Sequence, residues 1–161
     1  MCIRDRTYDD TKWQSVTVPH DWAIYGPFSI ENDKQKVAIT QDGQKEALEH
    51  AGRTGGLPFV GVGWYRLNFE APAFSSGKKA TLIFDGAMSH ARVYINGQEA
   101  GFWPYGYNSF HIDATPYLKA GEQNTLAVRL ENETESSRWY PGAGLYRNVH
   151  LVINEDAHIP T

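Results

Sequence analysis

The chain has 161 residues, of which 41% are hydrophobic and 21% charged, as expected for one globular domain that buries its core without disulfides or metals. Its net charge is −4 and its lysines and arginines are scattered, which argues against nucleic acid and against an anionic membrane surface as partners. No apolar run approaches the roughly 18 residues of a membrane-spanning helix, and the single cysteine, Cys2, excludes an internal disulfide.

The two ends of the sequence differ from its interior. Residues 1–6 carry neither a helix cap nor a strand pattern, so we expect a non-native or truncated start there. One domain is expected over 7–154. The polar residues 155–161 follow the last predicted strand, and we expect them to begin a linker to another domain.

The first predicted elements are a strand and a long connection. The strand covers 15–18 and ends at Pro19, because proline cannot donate to a strand ladder. A polar stretch then occupies 30–63, within which residues 44–50 could form a short helical turn. A loop of this length in a compact domain is usually functional or disordered.

Apolar and polar residues alternate along the rest of the chain, as in half-buried strands of an antiparallel sheet. Asn96-Gly97 predicts a two-residue hairpin, because both residues tolerate positive φ. We count about eight short strands with no amphipathic helix between them, which indicates an all-β, antiparallel β-sandwich of the jelly-roll type. The alternating runs lie at 64–70, 82–84, 93–95, 110–112, 126–131 and 149–153.

An imidazole, a carboxylate and an indole follow the first strand in His20-Asp21-Trp22. A carboxylate beside a flat aromatic ring is suited to accept hydrogen bonds from sugar hydroxyls while the ring covers an apolar sugar face. Alternatively, Asp21 caps the following turn and Trp22 packs under the long loop. The sequence leaves both interpretations open.

Two further aromatic clusters lie near strand ends. Arg138, Trp139 and Tyr140 precede the last strand, and we interpret them as contacts to a ligand or a partner domain, because rigid strands position such loops for function. The cluster at 102–107 (Phe-Trp-Pro-Tyr-Gly-Tyr) is interpreted instead as structural, with its rings covering the sandwich edge.

Catalytic and metal signatures are weak. Glu133 and Glu155 each follow an asparagine, as a catalytic acid in a glycosidase can, but neither has a partner carboxylate at a suggestive spacing, so we interpret both as solvated turn residues. No histidine or cysteine pair has metal-ligand spacing, and no G-x-S-x-G elbow is present. We therefore expect no metal, no cofactor and no catalytic residue within this chain.

Five motifs occur in an order that resembles the N-terminal sugar-binding domain of family 2 glycoside hydrolases, particularly the bacterial β-galactosidase branch. The resemblance covers about 8–153, nearly the whole chain. The motifs are Val-Pro-His-Asp-Trp at 18–22, Gly-Val-Gly-Trp-Tyr-Arg at 61–66, the stretch 84–97 ending in Tyr-Ile-Asn-Gly, Gly-Tyr-Asn-Ser-Phe at 106–110, and Trp-Tyr-Pro-Gly-Ala-Gly-Leu-Tyr-Arg-Asn-Val at 139–149.

The resemblance implies a galactose-binding-domain-like jelly roll followed by an immunoglobulin-like domain and a (β/α)-barrel. In that family the barrel supplies both catalytic glutamates of a retaining hydrolase, and the N-terminal domain lends side chains to the rim of the sugar pocket. Some members carry an acidic residue just before the Trp of the last motif. The matching residues here are Ser136-Ser137-Arg138, so Asp21 is the alternative acidic contact.

The sequence thus predicts a non-catalytic domain of a β-galactosidase-type enzyme. Its expected partners are a β-galactoside or related glycan and the other domains of the same polypeptide. The expected sugar contacts are Asp21, Arg138 and Trp139, supported by His20, Trp22 and Tyr140. Two rival hypotheses are a free-standing carbohydrate-binding module and a domain that serves only for packing.

Overall fold

The structure is a computed structural model that describes residues 3–4, 7–32, 34–50, 52, 54–134, 136 and 142–155. Short 3-10 helices lie at Ala23–Tyr25 and Thr40–Asp42. Within the described ranges, no helix has the length and apolarity that a membrane crossing requires. The strands are β1 (Gln35–Val37), β2 (Leu48–His50), β3 (Gly61–Glu70), β4 (Lys78–Phe84), β5 (Ala91–Ile95), β6 (Gln98–Trp103), β7 (Phe110–Asp113), β8 (Gln123–Asn132) and β9 (Val149–Glu155).

Two antiparallel sheets form the body of the molecule. One has the strand order β3-β8-β5-β6 and the other the order β7-β4-β9, while β1 and β2 pair separately. Every described strand pair is antiparallel. The all-β, antiparallel sandwich expected from the sequence is therefore confirmed.

The inward-facing side chains of both sheets form one core. Phe84 on β4 and Phe110 on β7 stack with ring centroids 4.7 Å apart, and Trp103 stacks on Phe110 at 5.7 Å. The alternation of buried and less buried positions follows from the period of two along each strand. The buried members include Ala80, Leu82, Phe84, Val93, Ile95, Leu126, Val128 and Leu130.

The predicted hairpin joins β5 to β6. Asn96 and Gly97 have φ values of 52° and 86°, as a tight turn of this kind requires. The Asn96 side chain also donates to the carbonyl of Tyr117 at 2.9 Å and to Oδ1 of the buried Asn124 at 2.8 Å. The turn is thereby tied to the chain that enters β8.

The edge strand β3 departs from its predicted alternation. The alternation over 64–70 predicts Tyr65, Leu67 and Phe69 on the core face and Arg66 on the polar face. Yet 57% of the surface of Leu67 is exposed, because β3 lies at the end of its sheet with a strand on one side only. Arg66 was expected on the polar face, but its side chain is 2% exposed. It pairs with Asp10 and donates to the carbonyl of Tyr8 at 3.3 Å, so residues 8–10 cover this part of β3.

The long connection and two smaller segments also differ from expectation. The polar stretch at 30–63 contains β1 and β2, and its helical turn lies at Thr40–Asp42 instead of 44–50. Residues 15–18 form no strand. In the cluster at 102–107, Trp103 packs as expected, but Phe102, Tyr105 and Tyr107 are 43%, 56% and 40% exposed.

The assignment of the core can be tested by comparing a buried leucine on β8 with an exposed leucine on the edge strand β3. Truncating the fully buried Leu130 to alanine should lower the free energy of unfolding by about 2–5 kcal/mol, since it leaves a cavity. The matched change Leu67→Ala should cost less than about 1 kcal/mol, because that side chain is mostly exposed. Urea unfolding measures both values, and equal losses would contradict this assignment of the core.

Candidate functional site

Three segments distant in sequence meet at one end of the sandwich. The amides of His20 and Trp22 donate to the carbonyls of Leu145 and Ala143 at 2.8 and 3.0 Å. Residues 143–145 also pair with a third segment, because Met88 and Gly144 exchange two backbone hydrogen bonds of 3.0 and 3.1 Å. The motif at 18–22 and the last motif are therefore neighbours in space.

Gly144 makes this close approach possible. Its φ is 118°, in the region that favours glycine. A Cβ atom placed there would lie 2.5 Å from the carbonyl oxygen of His20 and would overlap the Tyr65 hydroxyl. Only a residue without a side chain fits between residues 20 and 65 at this point.

The buried side chain of Asn132, at the end of β8, forms hydrogen bonds to three loops at this end of the sandwich. Its side chain is 4% exposed. Its Nδ2 donates to the carbonyls of Phe59 and Gly142 at 3.1 and 3.3 Å, and its Oδ1 accepts from Ser89 Oγ at 2.8 Å. One buried amide thus fixes three loops, and its own polar atoms are satisfied.

Asp21 has two carboxylate oxygens in different surroundings. Oδ1 accepts a hydrogen bond of 2.8 Å from the amide of Ala23, which begins the 3-10 helix at Ala23–Tyr25. Oδ2 is directed toward Gly142, where an added Cβ would lie 3.0 Å from it. Among the described residues, no hydrogen-bond donor contacts Oδ2. Within the described residues, the half-buried carboxylate is thus held through one oxygen.

His20 is oriented by Tyr65 on β3. The His20 Nδ1 and the Tyr65 hydroxyl oxygen are 2.8 Å apart. Burial raises the pKa of Tyr65 to about 12, the donating amide of Leu145 offsets part of that increase, and the negative charge of Asp21 adds to it. The Tyr65 hydroxyl also lies 3.5 Å from the carbonyl oxygen of His20, so it contacts both the ring and the backbone of that residue. The His20 ring also stacks on the exposed Tyr25 at 6.1 Å.

Trp22 packs between the main core and a small satellite cluster. The satellite consists of Ala23, Phe59 and Ala143, with Leu57 at its margin. A Cβ at Gly63 would overlap the indole ring. The packing interpretation of Trp22 is confirmed, and so is the interpretation of Asp21 as a turn cap.

The predicted sugar contacts divide into two groups. His20, Asp21 and Trp22 lie together beside 142–145. Arg138, Trp139 and Tyr140 lie outside the described residues, so their predicted roles stay predictions. Gly142, next to Asp21, is the first described residue after that segment.

Two residues that hydrogen-bond to the segments of the candidate site were missed by sequence reasoning. Tyr65 was assigned only to a strand face, and the asparagine of Asn132-Glu133 was passed over as part of a solvated turn. Glu133 itself is exposed as expected, whereas Asn132 is buried. Neither partnership has a local signal, because each depends on loops far away in the sequence.

The comparisons with known proteins agree on one family. The model of the sugar binding domain of family 2 glycosyl hydrolases matches residues 5–154. The β-galactosidase BoGH2A of Bacteroides ovatus is 42% identical over 153 residues, which are 94% of this chain and 16% of that protein. A β-glucuronidase of Formosa agariphila is 30% identical over 169 residues, covering 97% of this chain and 16% of its own length.

Solved structures give the same picture. A family 2 glycosyl hydrolase member from Bacteroides cellulosilyticus matches with a TM-score of 0.74 and 32% identity, over 94% of this chain and 18% of that one. The chain spans 13–21% of the length of the curated relatives it matches.

The close contact at Gly144 can be tested against a matched glycine. Gly144→Ala should lower the free energy of unfolding by more than about 2 kcal/mol, because the methyl group collides with backbone in addition to the unfavourable φ. Gly61→Ala is the control, since Gly61 has a φ of 128° and nothing within 4 Å of an added Cβ. Equal losses in chemical denaturation would show that the contact with His20 is unimportant.

The buried phenol of Tyr65 predicts a loss of stability at alkaline pH. The unfolded chain releases this proton near pH 10, whereas the folded chain holds it to about 12. The unfolded state therefore binds fewer protons between these values, and stability falls as pH rises through them. Tyr65→Phe should reduce that fall in urea titrations at pH 9 to 12, and Tyr117→Phe serves as the control. An unchanged pH slope in Tyr65→Phe would contradict the assignment.

Proposed function

This chain belongs to the sugar binding domain family of the family 2 glycosyl hydrolases, and from this membership we propose that it is a non-catalytic domain of a retaining β-galactosidase-type enzyme. In this proposal the domain supports a catalytic barrel and supplies part of the rim of its sugar pocket. Both catalytic glutamates come from the barrel. One protonates the glycosidic oxygen and the other forms the glycosyl intermediate.

The observation that carries the rim proposal is the position of Asp21. Its Oδ1 is fixed by the Ala23 amide, and its Oδ2 faces Gly142, at the end of the segment that holds Arg138 and Trp139. A carboxylate oxygen of this kind accepts strong hydrogen bonds from sugar hydroxyls. Holding the sugar in one orientation lowers the entropic cost of the reaction, so the domain contributes without performing a chemical step.

The support role rests on four exposed apolar side chains in the segment that follows Asp21 in the sequence. Ile24, Tyr25, Phe28 and Ile30 are 54%, 73%, 61% and 66% exposed. Aliphatic and aromatic side chains grouped in this way mark an interaction site more often than an ordinary surface. Since the relatives are several times longer than this chain, we propose that other domains of the same polypeptide cover this surface.

The proposed substrate of the complete polypeptide is a β-galactoside. This assignment is supported by the 42% identity to a protein named β-galactosidase. Proteins named β-glucuronidase are also among the relatives. A hydrolysis assay of the complete polypeptide with nitrophenyl β-galactoside and nitrophenyl β-glucuronide distinguishes the two substrates.

The rim role predicts a defined kinetic effect. Asp21→Asn keeps an oxygen for the Ala23 amide but removes the charge from the atom that faces Gly142. In the complete polypeptide, kcat/KM for the galactoside should fall roughly ten-fold or more, since a hydrogen bond to a charged group contributes about 1.5–3 kcal/mol. The melting temperature should change little. Steady-state kinetics and thermal unfolding provide the two measurements.

One control and two further variants distinguish this proposal from a domain that serves only for packing. Asp42→Asn changes an exposed carboxylate in the other 3-10 helix and should leave kcat/KM unaltered. Trp139→Ala should weaken kcat/KM in the same direction as Asp21→Asn. A domain that serves only for packing predicts a different result. In that case kcat/KM is unchanged in Asp21→Asn and Trp139→Ala, and Phe28→Ser disrupts the packing of this domain against the rest of the polypeptide.

A further inference from the structure

The loop between β6 and β7, residues 104–109, presents two tyrosines to solvent. Tyr105 and Tyr107 are 56% and 40% exposed. Their ring centroids are 5.5 Å apart with the planes tilted by 55°. Trp103, just before the loop, stacks on Phe110 in the core. Trp103 is therefore part of the core packing, whereas Tyr105 and Tyr107 are largely exposed at the tip of the loop.

The loop is anchored on both sides of each tyrosine. The His90 amide donates to the carbonyl of Pro104 at 3.1 Å, and the Tyr146 hydroxyl donates to the carbonyl of Gly106 at 2.6 Å. Trp103 Nε1 donates to Asn108 Oδ1 at 3.0 Å. The exposed rings thus sit on a held backbone, and binding to them orders little additional chain.

Gly106 lies between the two tyrosines and fixes the depth of the loop. It is buried, and a Cβ there would lie 2.9 Å from the Met88 side chain. The backbone between the rings therefore rests directly on Met88, whose own backbone pairs with Gly144. The backbone that carries the two rings is therefore packed against the end of the sandwich.

The surroundings of the pair are polar. Asn108, Ser109 and Arg147 are exposed. The guanidinium of Arg147 lies 5.7 Å from the centroid of the Tyr146 ring. This composition differs from the exposed segment at 24–30, where Ile24, Phe28 and Ile30 present only hydrocarbon.

We propose that Tyr105 and Tyr107 form a second carbohydrate contact, which binds one pyranose ring of a glycan by stacking. A pyranose has an apolar C–H face that suits an aromatic ring and a hydroxyl edge that suits amide, hydroxyl and guanidinium groups. The contact uses none of the residues assigned to the sugar-pocket rim, so it holds or fails independently of the Asp21 proposal.

Titration of the 161-residue chain with a β-linked galactotriose, followed by amide chemical shifts, tests this inference. Binding in the millimolar range is expected, with the largest shifts in residues 104–109. Tyr105→Ala and Tyr107→Ala should each raise Kd by about ten-fold, which is about 1.4 kcal/mol. Tyr105→Phe and Tyr107→Phe should stay within about two-fold, because stacking needs the ring and not the hydroxyl.

A matched aromatic and two carboxylate variants complete the design. Phe102 is 43% exposed on the adjacent strand and lies under Arg92 at 4.7 Å, so Phe102→Ala should leave Kd unchanged. Asp42→Asn, which changes an exposed carboxylate in the other 3-10 helix, should leave Kd unchanged as well. The inference is overturned by an absence of shifts in residues 104–109, or by binding lost in Asp21→Asn and kept in both alanine variants. Tyrosine variants that bind the sugar normally but no longer assemble with the other domains would identify a polypeptide interface instead.

Discussion

The hydrogen bonds on both sides of residues 143–145 hold this end of the molecule together. One side pairs with His20 and Trp22, and the other pairs with Met88. Backbone pairing of this kind needs close approach, and Gly144 provides it where any side chain would meet the carbonyl of His20. The buried amide of Asn132 adds a cross-link from β8. The positions of Asp21, His20 and Trp22 all follow from this arrangement.

The same contacts give the motif at 18–22 its structural role and also orient the proposed sugar contact. Trp22 provides the apolar contact that joins two clusters, and one oxygen of Asp21 closes a turn. These structural roles restrict the carboxylate, so its second oxygen has a defined direction before any sugar arrives. Pre-organisation of this sort lowers the ordering cost of binding. The turn cap therefore supports the proposed sugar contact and does not compete with it.

The alternation of side chains was sufficient to predict the sandwich, because a period of two determines which residues of β4, β5 and β8 face the core. It failed at Leu67, since exposure there depends on β3 lying at a sheet edge, and strand order is not a local property. The interpretation of Asn132 as a solvated turn residue failed for a related reason, because its hydrogen-bond partners come from three loops. The motif at 18–22 supported two interpretations, and the structure shows the capping and packing contacts while leaving one oxygen of Asp21 unused by the described residues. The aromatic residues at 102–107 were assigned as a group, although burial separates Trp103 from its neighbours.

Two exposed surfaces of different chemistry lie outside the core. The surface at 24–30 is rich in hydrocarbon and suits another protein domain, whereas the tyrosine pair at 105 and 107 lies among polar groups. The proposed function depends on a third feature, the carboxylate of Asp21. The most direct measurement is a crystal structure of the complete polypeptide with a bound galactose. We expect an oxygen of Asp21 within about 3.0 Å of a sugar hydroxyl. An Asp21 side chain covered by protein and without contact to the sugar would contradict it.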